Sequence, residues 1–341
     1  MVKIWINKQV KDEVSEDFND SLIVNILDKN KKSNVTTDVQ DLWRRFGKIS
    51  LEHTYEDILI IAMSVFYVDK RIPRNYFEDS WTRTISINIP VIEINKWNEV
   101  RENLVKMLGF LTGDNWCISF RQTTNKFRGE KVSKYKLISN KDFDAVSLFS
   151  GGLDSFCGAI KLLSEKKNTC FIGFREYNLL GKRQQELFNA LDNYYDDINK
   201  EILLFNVIPR KPLNMPEEMA KYGTESTSRS RSLLFLAGAL AVASIIGKDI
   251  PVYIPENGFI GINVPLTDSR SGSCSTRTTH PYFLRLFNAL LKTVGIKNEI
   301  INFYALYTKG EIVEEFSNLP VFKEYAKNTI SCSHPCQSRY D

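Results

Sequence analysis

The sequence predicts an α/β fold in which a parallel sheet with helices on both faces follows an amino-terminal α+β module. Two observations predict the sheet. After Phe143, short apolar runs alternate with helical segments, and a glycine-rich turn, Ser150-Gly151-Gly152-Leu153-Asp154-Ser155, separates the first run from the first helical segment. The chain of 341 residues is long enough for about two domains, which we predict at residues 1–136 and 137–341.

The predicted strands of the second domain are the short apolar runs at residues 146–149, 170–174, 202–208 and 251–254. The predicted helices between them are at residues 155–164, 183–192 and 231–246, and Gly247 ends the last one. Strands that alternate with helices form parallel sheets, and ligands bind such sheets beyond the carboxyl ends of the strands. The glycine-rich turn is therefore predicted at the ligand-binding edge.

Residues 1–136 mix two kinds of pattern. Apolar residues alternate in two strand-like stretches, and those from Ile58 to Val68 follow helical spacing until Pro73. All five tryptophans of the protein lie here: Trp5, Trp43, Trp81, Trp97 and Trp116. Aromatic residues are typical of packed cores and of interfaces, so we predict an α+β module that docks partner proteins. Residues 123–140 are polar and basic, which predicts a connecting hairpin or linker.

Composition limits the classes of function. The formal net charge is +4 and basic residues are scattered among nearly as many acidic ones, which permits an anionic ligand but does not favour a nucleic-acid partner. The sequence has neither an apolar stretch of membrane-spanning length nor the apolar core of a signal peptide, which predicts a cytoplasmic protein without a membrane partner. The six cysteines are few for this length, so we predict reduced thiols rather than a disulfide framework.

The glycine-rich turn has the chemistry of a phosphate-binding loop. Gly151 and Gly152 allow backbone N–H groups to turn toward an anion, and the hydroxyls of Ser150 and Ser155 add donors. The helix that follows adds free N–H groups and the positive end of its dipole. Loops that serve γ-phosphoryl transfer carry a lysine, and none occurs between Ser150 and Ser155. The alternative interpretation is an ordinary turn between a strand and a helix.

The Ser-Gly-Gly-x-Asp-Ser pattern resembles the PP-loop of the ATP pyrophosphatases, which cleave ATP between the α- and β-phosphates and adenylate a carboxylate of a second substrate. The resemblance implies a PP-loop (adenine nucleotide α-hydrolase-like) domain. It implies that the ATP-binding residues are Ser150, Gly151, Gly152, Leu153, Asp154 and Ser155. It also implies that Asp154 helps to hold Mg²⁺, and that Asp154, Ser155 and Arg231 are the catalytic residues.

Two later segments complete the predicted site. The residues Arg231-Ser232-Leu233-Leu234-Phe235-Leu236 resemble a segment of the QueC-type PP-loop enzymes, with Ser232 in place of asparagine. The polar residues between 255 and 281 form a long loop suited to hydrogen-bonding a polar heterocycle. The predicted substrate-binding residues are Asn257, Arg277, Thr278, Thr279 and His280. The alternatives are a capped buried helix with solvated arginines, and a surface loop without function.

Over its whole length the chain resembles the QueC-like proteins of the Qat anti-phage defence systems, through residues 57–62, 111–116, the PP-loop and 275–281. QueC proper lacks the amino-terminal module. QueC adenylates 7-carboxy-7-deazaguanine and uses ammonia to make a nitrile, and defence-associated relatives attach the deazaguanine to the amino terminus of a partner protein. The resemblance therefore implies ATP and Mg²⁺ as cofactors, a 7-deazaguanine-type ligand, and partner proteins from a defence operon.

The family pattern ends in a zinc site of four cysteines, and this sequence departs from it. Cys332 lies in the Ser-Cys context of the first ligand, and His334 and Cys336 follow, but no further cysteine occurs before Asp341. These ligands are one short of a tetrahedral shell. We predict Cys332 and Cys336 as Zn²⁺ ligands of a site that is incomplete in this chain, or a chain that is truncated before the site is complete.

The residues leave three other functions open. The first is a PP-loop synthetase for another acid, or a thiolase acting on tRNA, which would need a basic RNA-binding module and catalytic cysteines near the loop. Cys157 is instead predicted to be a core residue. The second is a non-catalytic subunit that senses nucleotide in a defence complex, and the third is a structural partner. Turnover of ATP to AMP would distinguish an enzyme from the last two.

Overall fold

The computed structural model describes residues 1–9, 12–27, 33–128, 136–212, 214–225, 229–262 and 277–330, with residues 262 and 278 described as backbone only. The strands, in chain order, are β1 (Val2–Asn7), β2 (Leu22–Asn25), β3 (Val35–Thr37), β4 (Thr84–Val91), β5 (Asn115–Gln122), β6 (Ala145–Leu148), β7 (Thr169–Phe174), β8 (Lys200–Phe205), β9 (Val207–Pro209), β10 (Val252–Tyr253) and β11 (Ile300–Ile301). The α-helices, in chain order, are α1 (Asp41–Arg44), α2 (His53–Arg71), α3 (Ile94–Glu99), α4 (Arg101–Thr112), α5 (Leu153–Ser164), α6 (Asn178–Tyr194), α7 (Glu217–Ala220), α8 (Arg231–Ile246), α9 (Gly258–Ile262), α10 (Pro281–Thr293), α11 (Lys309–Phe316) and α12 (Pro320–Tyr325).

Parallel strands form the sheet of the carboxy-terminal part, in the order β11-β10-β6-β7-β8. Alternate side chains of β7 enter two separate hydrophobic clusters, with Cys170 and Ile172 in one and Phe171 in the other. Helices α8 and α10 contribute to the first cluster, and α5 and α6 to the second. This confirms the predicted α/β architecture with helices on both faces of the sheet.

The order of these strands reverses once. From β6 the chain adds β7 and then β8 on one side, whereas β10 and β11 lie on the other side of β6. In sheets of this kind the loops after the two strands at the reversal diverge, and a crevice opens between them at the carboxyl ends. The glycine-rich turn follows β6, so it lies at this crevice as predicted.

The amino-terminal part also contains a parallel sheet, in the order β2-β1-β4-β5. The prediction of an α+β module is therefore wrong in its sheet type: this part is α/β, and α3 and α4 lie in the crossover from β4 to β5. Alternating apolar residues such as Ile85, Ile87 and Ile89 indicate which face of a strand is buried. Parallel and antiparallel neighbours bury that face equally, so the pattern does not determine strand direction.

The two predicted domains share one hydrophobic core. Helix α8 is apolar around its whole circumference, and its residues 233–243 are all buried. It packs on the carboxy-terminal sheet and also on α2, which is itself buried along almost its full length. In addition, β3 pairs with β9 across the predicted boundary. The boundary at residue 136 stays a prediction, but the parts on its two sides are joined by buried contacts.

Within the described ranges, no helix combines the length and the apolar character needed to cross a membrane. Cys157 on α5 and Cys170 on β7 are buried free thiols. Burial raises the pKa of both, that of Cys157 to about 12. A thiol that burial keeps protonated is a poor nucleophile. The prediction that Cys157 is a core residue is confirmed.

Candidate functional site

A cavity of about 300 Å³ lies at the carboxyl ends of β6 and β10, where the strand order reverses. Residues of the glycine-rich loop are among the polar residues that line it. Its apolar walls come from Phe174, Leu180, Phe235, Ile254 and Ile260. Apolar walls combined with a few polar and charged groups are typical of sites that bind small molecules.

The glycine-rich loop connects β6 to α5 and brings the first turn of α5 to the cavity. Gly151 has a φ of +84°, in the left-handed region that favours glycine. The hydroxyl of Ser150 donates to Ser155 Oγ at 3.0 Å and accepts from Gly152 N at 3.3 Å. Ser155 Oγ also contacts the carbonyl oxygen of Gly152 at 2.8 Å. These bonds shape the loop and keep both serine side chains at the start of the helix.

Two residues from distant parts of the chain support the loop. The buried amide of Gln184 on α6 donates to Phe149 O at 3.0 Å and to Ser150 O at 3.2 Å. The N–H of Ile330 donates to Gly151 O at 2.8 Å. Neither contact could be predicted from the sequence, because a glutamine within a helix and a single isoleucine at position 330 belong to no recognisable pattern.

Asp154 is the carboxylate at the start of α5, and its side chain is buried. Asn257 fixes it, since the backbone N–H and the amide Nδ2 of Asn257 both donate to Asp154 Oδ2, at 3.1 and 2.5 Å. The other oxygen, Oδ1, is buried and accepts no hydrogen bond from the described residues. Lys309 Nζ lies 3.3 Å from it. The structure thus brings the predicted residues Asp154 and Asn257 together and adds a lysine that no sequence motif contains.

Lys309 is the first residue of α11 and lines the cavity. The segment that precedes Lys309 reaches the cavity because its backbone packs closely against Gly258. A side chain at Gly258 would come within 2.2 Å of Ala305 O, so this contact requires glycine. Gly258 N also donates to Tyr307 O at 2.8 Å. The one sequence signal for this approach was Gly258 itself, and a single glycine does not indicate which segment it contacts.

Glu256 follows β10 and lines the cavity near Asp154. Asn302 holds its backbone from both sides: Glu256 N donates to Asn302 Oδ1 at 3.4 Å, and Asn302 Nδ2 donates to Glu256 O at 2.8 Å. Burial, and then the negative charge of Asp154, raise the pKa of Glu256 to about 7 against the opposing charges of Lys309 and Arg231. The site therefore contains a second carboxyl group, which sequence reasoning missed.

Arg231 and Ser232 begin α8 and line another wall of the cavity. The guanidinium of Arg231 forms an ion pair with Glu176, which follows β7. Asp69 of α2 holds the start of α8, because its Oδ2 accepts from Ser230 N at 2.8 Å and from Ser230 Oγ at 2.9 Å. Helices α5 and α8 thus both begin at the cavity, and each contributes the positive end of its dipole.

Among the predicted substrate-binding residues, Thr279 lines the cavity. Its Oγ1 is buried and has no hydrogen-bond partner among the described residues. Asn257 takes part in the site by holding the carboxylate of Asp154 with two hydrogen bonds. Thr278 lies in the same 3₁₀ turn as Thr279, but its side chain lies outside the described part of the structure.

Arg277 and His280 contact α4 instead. Arg277 Nη1 donates to Phe110 O at 2.7 Å, and its guanidinium lies 5.1 Å from the centre of the Phe110 ring. His280 packs against the same ring at 5.0 Å, and its Nδ1 caps α10 by accepting from Tyr282 N. Burial, and then the charge of Arg277, lower the pKa of His280. Neither side chain lines the cavity, so their contact with a substrate stays a prediction.

The donor set of the cavity fits Mg²⁺. Magnesium prefers oxygen ligands and is commonly held by one or two carboxylates together with phosphates. Asp154 offers a buried oxygen without a hydrogen bond from the described residues, and Glu256 lies near it. No group of three or more His, Cys, Asp or Glu side chains within the described ranges is placed to hold a metal ion. The predicted zinc ligands Cys332 and Cys336 lie outside those ranges, so the zinc site stays a prediction.

Comparisons with known proteins assign no family. No family model matches the sequence, and no curated protein matches it. Among solved structures, the chain is similar to a crystal structure of a ketoreductase domain from the bacillaene assembly line, with 9% sequence identity over 92% of this chain and 84% of that chain. The TM-score of 0.28 is too low for this likeness to support a common fold or function. The strand order and parallel sheets therefore define this protein as α/β.

Proposed function

We propose that the protein is a PP-loop ATP pyrophosphatase that adenylates a carboxylate and passes the acyl group to an amine. One observation carries the proposal. The glycine-rich loop, the starts of α5 and α8, and the carboxylates of Asp154 and Glu256 meet in a single cavity at the strand reversal. Helix starts bind phosphates, and carboxylates bind the metal ion that accompanies a nucleotide.

In the proposed reaction a carboxylate oxygen of the substrate attacks the α-phosphorus of ATP. The new P–O bond forms as the bond to the bridging oxygen breaks, and pyrophosphate leaves with that electron pair. An amine nitrogen then attacks the acyl carbon, AMP leaves with the electron pair of the C–O bond, and the nitrogen loses a proton. Both steps need reactants held in line and negative charge stabilised.

The residues of the chain supply positioning and charge. Backbone N–H groups of the loop and the hydroxyls of Ser150 and Ser155 are donors for the phosphate oxygens. Arg231 provides a guanidinium that can exchange its pairing with Glu176 for phosphate. Mg²⁺, held by Asp154 with Glu256, would neutralise charge on the phosphate chain when bound.

For the carboxylate we propose 7-carboxy-7-deazaguanine, as the QueC-like sequence pattern implies. The apolar walls at Phe174 and Phe235 fit a flat ring, which both adenine and the deazaguanine have. Thr279 Oγ1 offers a hydrogen bond that no described residue satisfies. The proposed acceptor is ammonia or the amino terminus of a partner protein, in cytoplasmic anti-phage defence, with the amino-terminal part docking the partner.

The experiment follows ATP turnover by chromatography with and without 7-carboxy-7-deazaguanine, in the presence of ammonium. We expect equal amounts of AMP and pyrophosphate and a saturable dependence on the acid. Asp154→Asn should slow turnover by about 10²-fold or more, because charge stabilisation is the main contribution of such sites. Asp197→Asn, a change at an exposed aspartate that does not line the cavity, is the matched control.

Other outcomes would contradict the proposal in different ways. ADP and phosphate as the main products would indicate γ-phosphoryl chemistry. Equal stimulation by unrelated carboxylic acids would exclude the deazaguanine as the specific substrate. Tight binding of ATP without turnover would favour the nucleotide-sensing alternative.

A further inference from the structure

Lys309 brings to the cavity a positive charge that the glycine-rich loop itself lacks. We propose that Lys309 is an exchangeable cation of the site: its ammonium group neutralises Asp154 in the ligand-free protein and moves to the phosphate chain when ATP binds. This inference rests on the proposed function, because it concerns the same cavity and the same ligand. It adds a phosphate-binding residue that lies far from the loop in the sequence.

The backbone of Lys309 is held in place at the cavity. Thr308 caps α11, since its Oγ1 accepts from Glu311 N at 3.3 Å while Thr308 N donates to Glu311 Oε2 at 2.7 Å. The carbonyl of Tyr307 accepts from Gly258 N at 2.8 Å, which joins this segment to the chain that leaves β10. The starting point of the lysine side chain is therefore set by the fold.

The ammonium group has more freedom than the backbone. The Lys309 side chain is 46% exposed, whereas the Asp154 side chain is 6% exposed and is fixed by Asn257. A lysine side chain is a flexible stem, so its charge can change partners without a movement of the main chain. Ion pairs with an exposed partner contribute little to stability, so this contact is easily exchanged for a stronger one.

The charges in the cavity favour such an exchange. Arg231 is paired with Glu176, and Lys309 with Asp154, before any ligand enters. A phosphate chain offers each cation a more negatively charged partner, with strong charge-assisted hydrogen bonds. Asp154 Oδ1, which accepts no hydrogen bond from the described residues, then becomes available to a divalent metal ion. Lys309 and the metal ion thus compete for Asp154 when phosphate is absent.

The test measures the binding of Mn²⁺ and of pyrophosphate separately in the wild type and in Lys309→Met. Electron paramagnetic resonance follows Mn²⁺, and calorimetry follows pyrophosphate. Without pyrophosphate the variant should bind Mn²⁺ about two- to fivefold more tightly, because the competing ammonium group is gone. Its affinity for pyrophosphate should fall about tenfold or more, because a charge-assisted contact is lost.

Two further variants serve as controls. Lys248→Met changes a lysine that also pairs with a carboxylate, Glu52, at 3.4 Å, but that does not line the cavity. It should alter neither affinity. Lys309→Arg keeps the charge and should retain most of the affinity for pyrophosphate.

The opposite directions of the two effects make the outcomes distinguishable. Unchanged binding of both ions in Lys309→Met would overturn the inference, and so would weaker binding of both, which is expected if the lysine only shapes the site. If the wild type binds neither Mn²⁺ nor pyrophosphate, the proposed function fails together with this inference. If the wild type binds both and Lys309→Met does not differ from it, the inference alone fails.

Discussion

Glu256 lines the cavity near Asp154, and burial, followed by the charge of Asp154, raises its pKa from 4.5 to about 7. In the unfolded chain this carboxyl group ionises near pH 4.5, whereas in the folded protein it keeps its proton up to about pH 7. Between these values the unfolded state binds fewer protons, so the free energy of unfolding falls as the pH rises. Above about pH 7 Glu256 is ionised in both the folded and the unfolded state, and the free energy of unfolding falls no further through this group.

We expect Glu256→Gln to stabilise the ligand-free protein at pH 8 and to have a much smaller effect at pH 5. Glutamine keeps the shape of the side chain but cannot ionise. It therefore avoids the loss in free energy of unfolding that ionisation of Glu256 causes, which we place at about 1–3 kcal/mol. Urea unfolding at the two pH values measures the difference. Glu102→Gln, at an exposed position of α4, is the control. An equal effect of Glu256→Gln at both pH values would point to a cause other than ionisation.

Helix α8 carries Arg231 to the cavity, and a buried ion network of the amino-terminal part holds the start of that helix. Asp69 accepts two hydrogen bonds from Ser230 and pairs with Arg83, whose guanidinium also contacts Asp114 at 2.6 Å. Buried charges need such partners to offset the loss of hydration. Ser230 therefore links the network to the helix that reaches the cavity.

We expect Ser230→Ala to lower the free energy of unfolding by about 1–2 kcal/mol, because the buried Asp69 loses a donor. We also expect weaker ATP binding, since the start of α8 becomes less tightly held. Ser244→Ala removes a hydroxyl near the other end of the helix, which donates to Ala241 O, and should leave ATP binding unchanged. Urea unfolding and calorimetric titration measure the two effects. If Ser230→Ala lowers the free energy of unfolding but leaves the ATP affinity unchanged, the role of Ser230 is only structural.

The whole molecule is organised around a contact between its two parallel sheets. Helix α2 packs on β4 of the amino-terminal sheet, α8 packs on β6 and β7 of the other, and the two helices pack on each other. Removal of residues 1–136 would expose apolar side chains of α8 to water, and burial of such surface is the main source of folding stability. The two parts should therefore unfold as one cooperative unit.

Two sets of intrinsic probes can test this cooperativity. All five tryptophans lie within residues 1–136, and the buried thiols of Cys157 and Cys170 lie in the carboxy-terminal part. We expect the change in tryptophan fluorescence and the labelling of these two cysteines, assigned by mass spectrometry, to share one midpoint in urea. Cys117 is exposed and should react at every urea concentration. A fluorescence transition at clearly lower urea would instead support independent domains.

Features that depend on neighbouring residues could be predicted from the sequence. The loop between β6 and α5 and the bounds of α8 follow from turn chemistry and from local apolar runs. Features that depend on tertiary partners could not. The predicted strand at 202–208 is divided into β8 and β9, because the chain leaves the sheet there to pair with β3.

The same distinction applies to the site. Asp154 and Thr279 were predicted and line the cavity, whereas Lys309 reaches it only through the packing of Gly258 against Ala305. The polar loop predicts Arg277 as a substrate contact, whereas its observed contact with Phe110 depends on how α4 packs beside α10. Local patterns identify candidate residues of the site, but long-range packing decides which charged side chains face the cavity.

The hydrogen bond from Ile330 N to Gly151 O has a thermodynamic consequence. It joins the glycine-rich loop to the point where the chain continues into residues 331–341. A binding event on that continuation changes the affinity of the loop for a ligand if the strength of this bond differs between the ligand-free and the ligand-bound loop. By reciprocity, the ligand must then change the affinity of that event by the same factor. The metal binding predicted at Cys332 and Cys336 and the phosphate binding proposed for the loop would then share one coupling free energy.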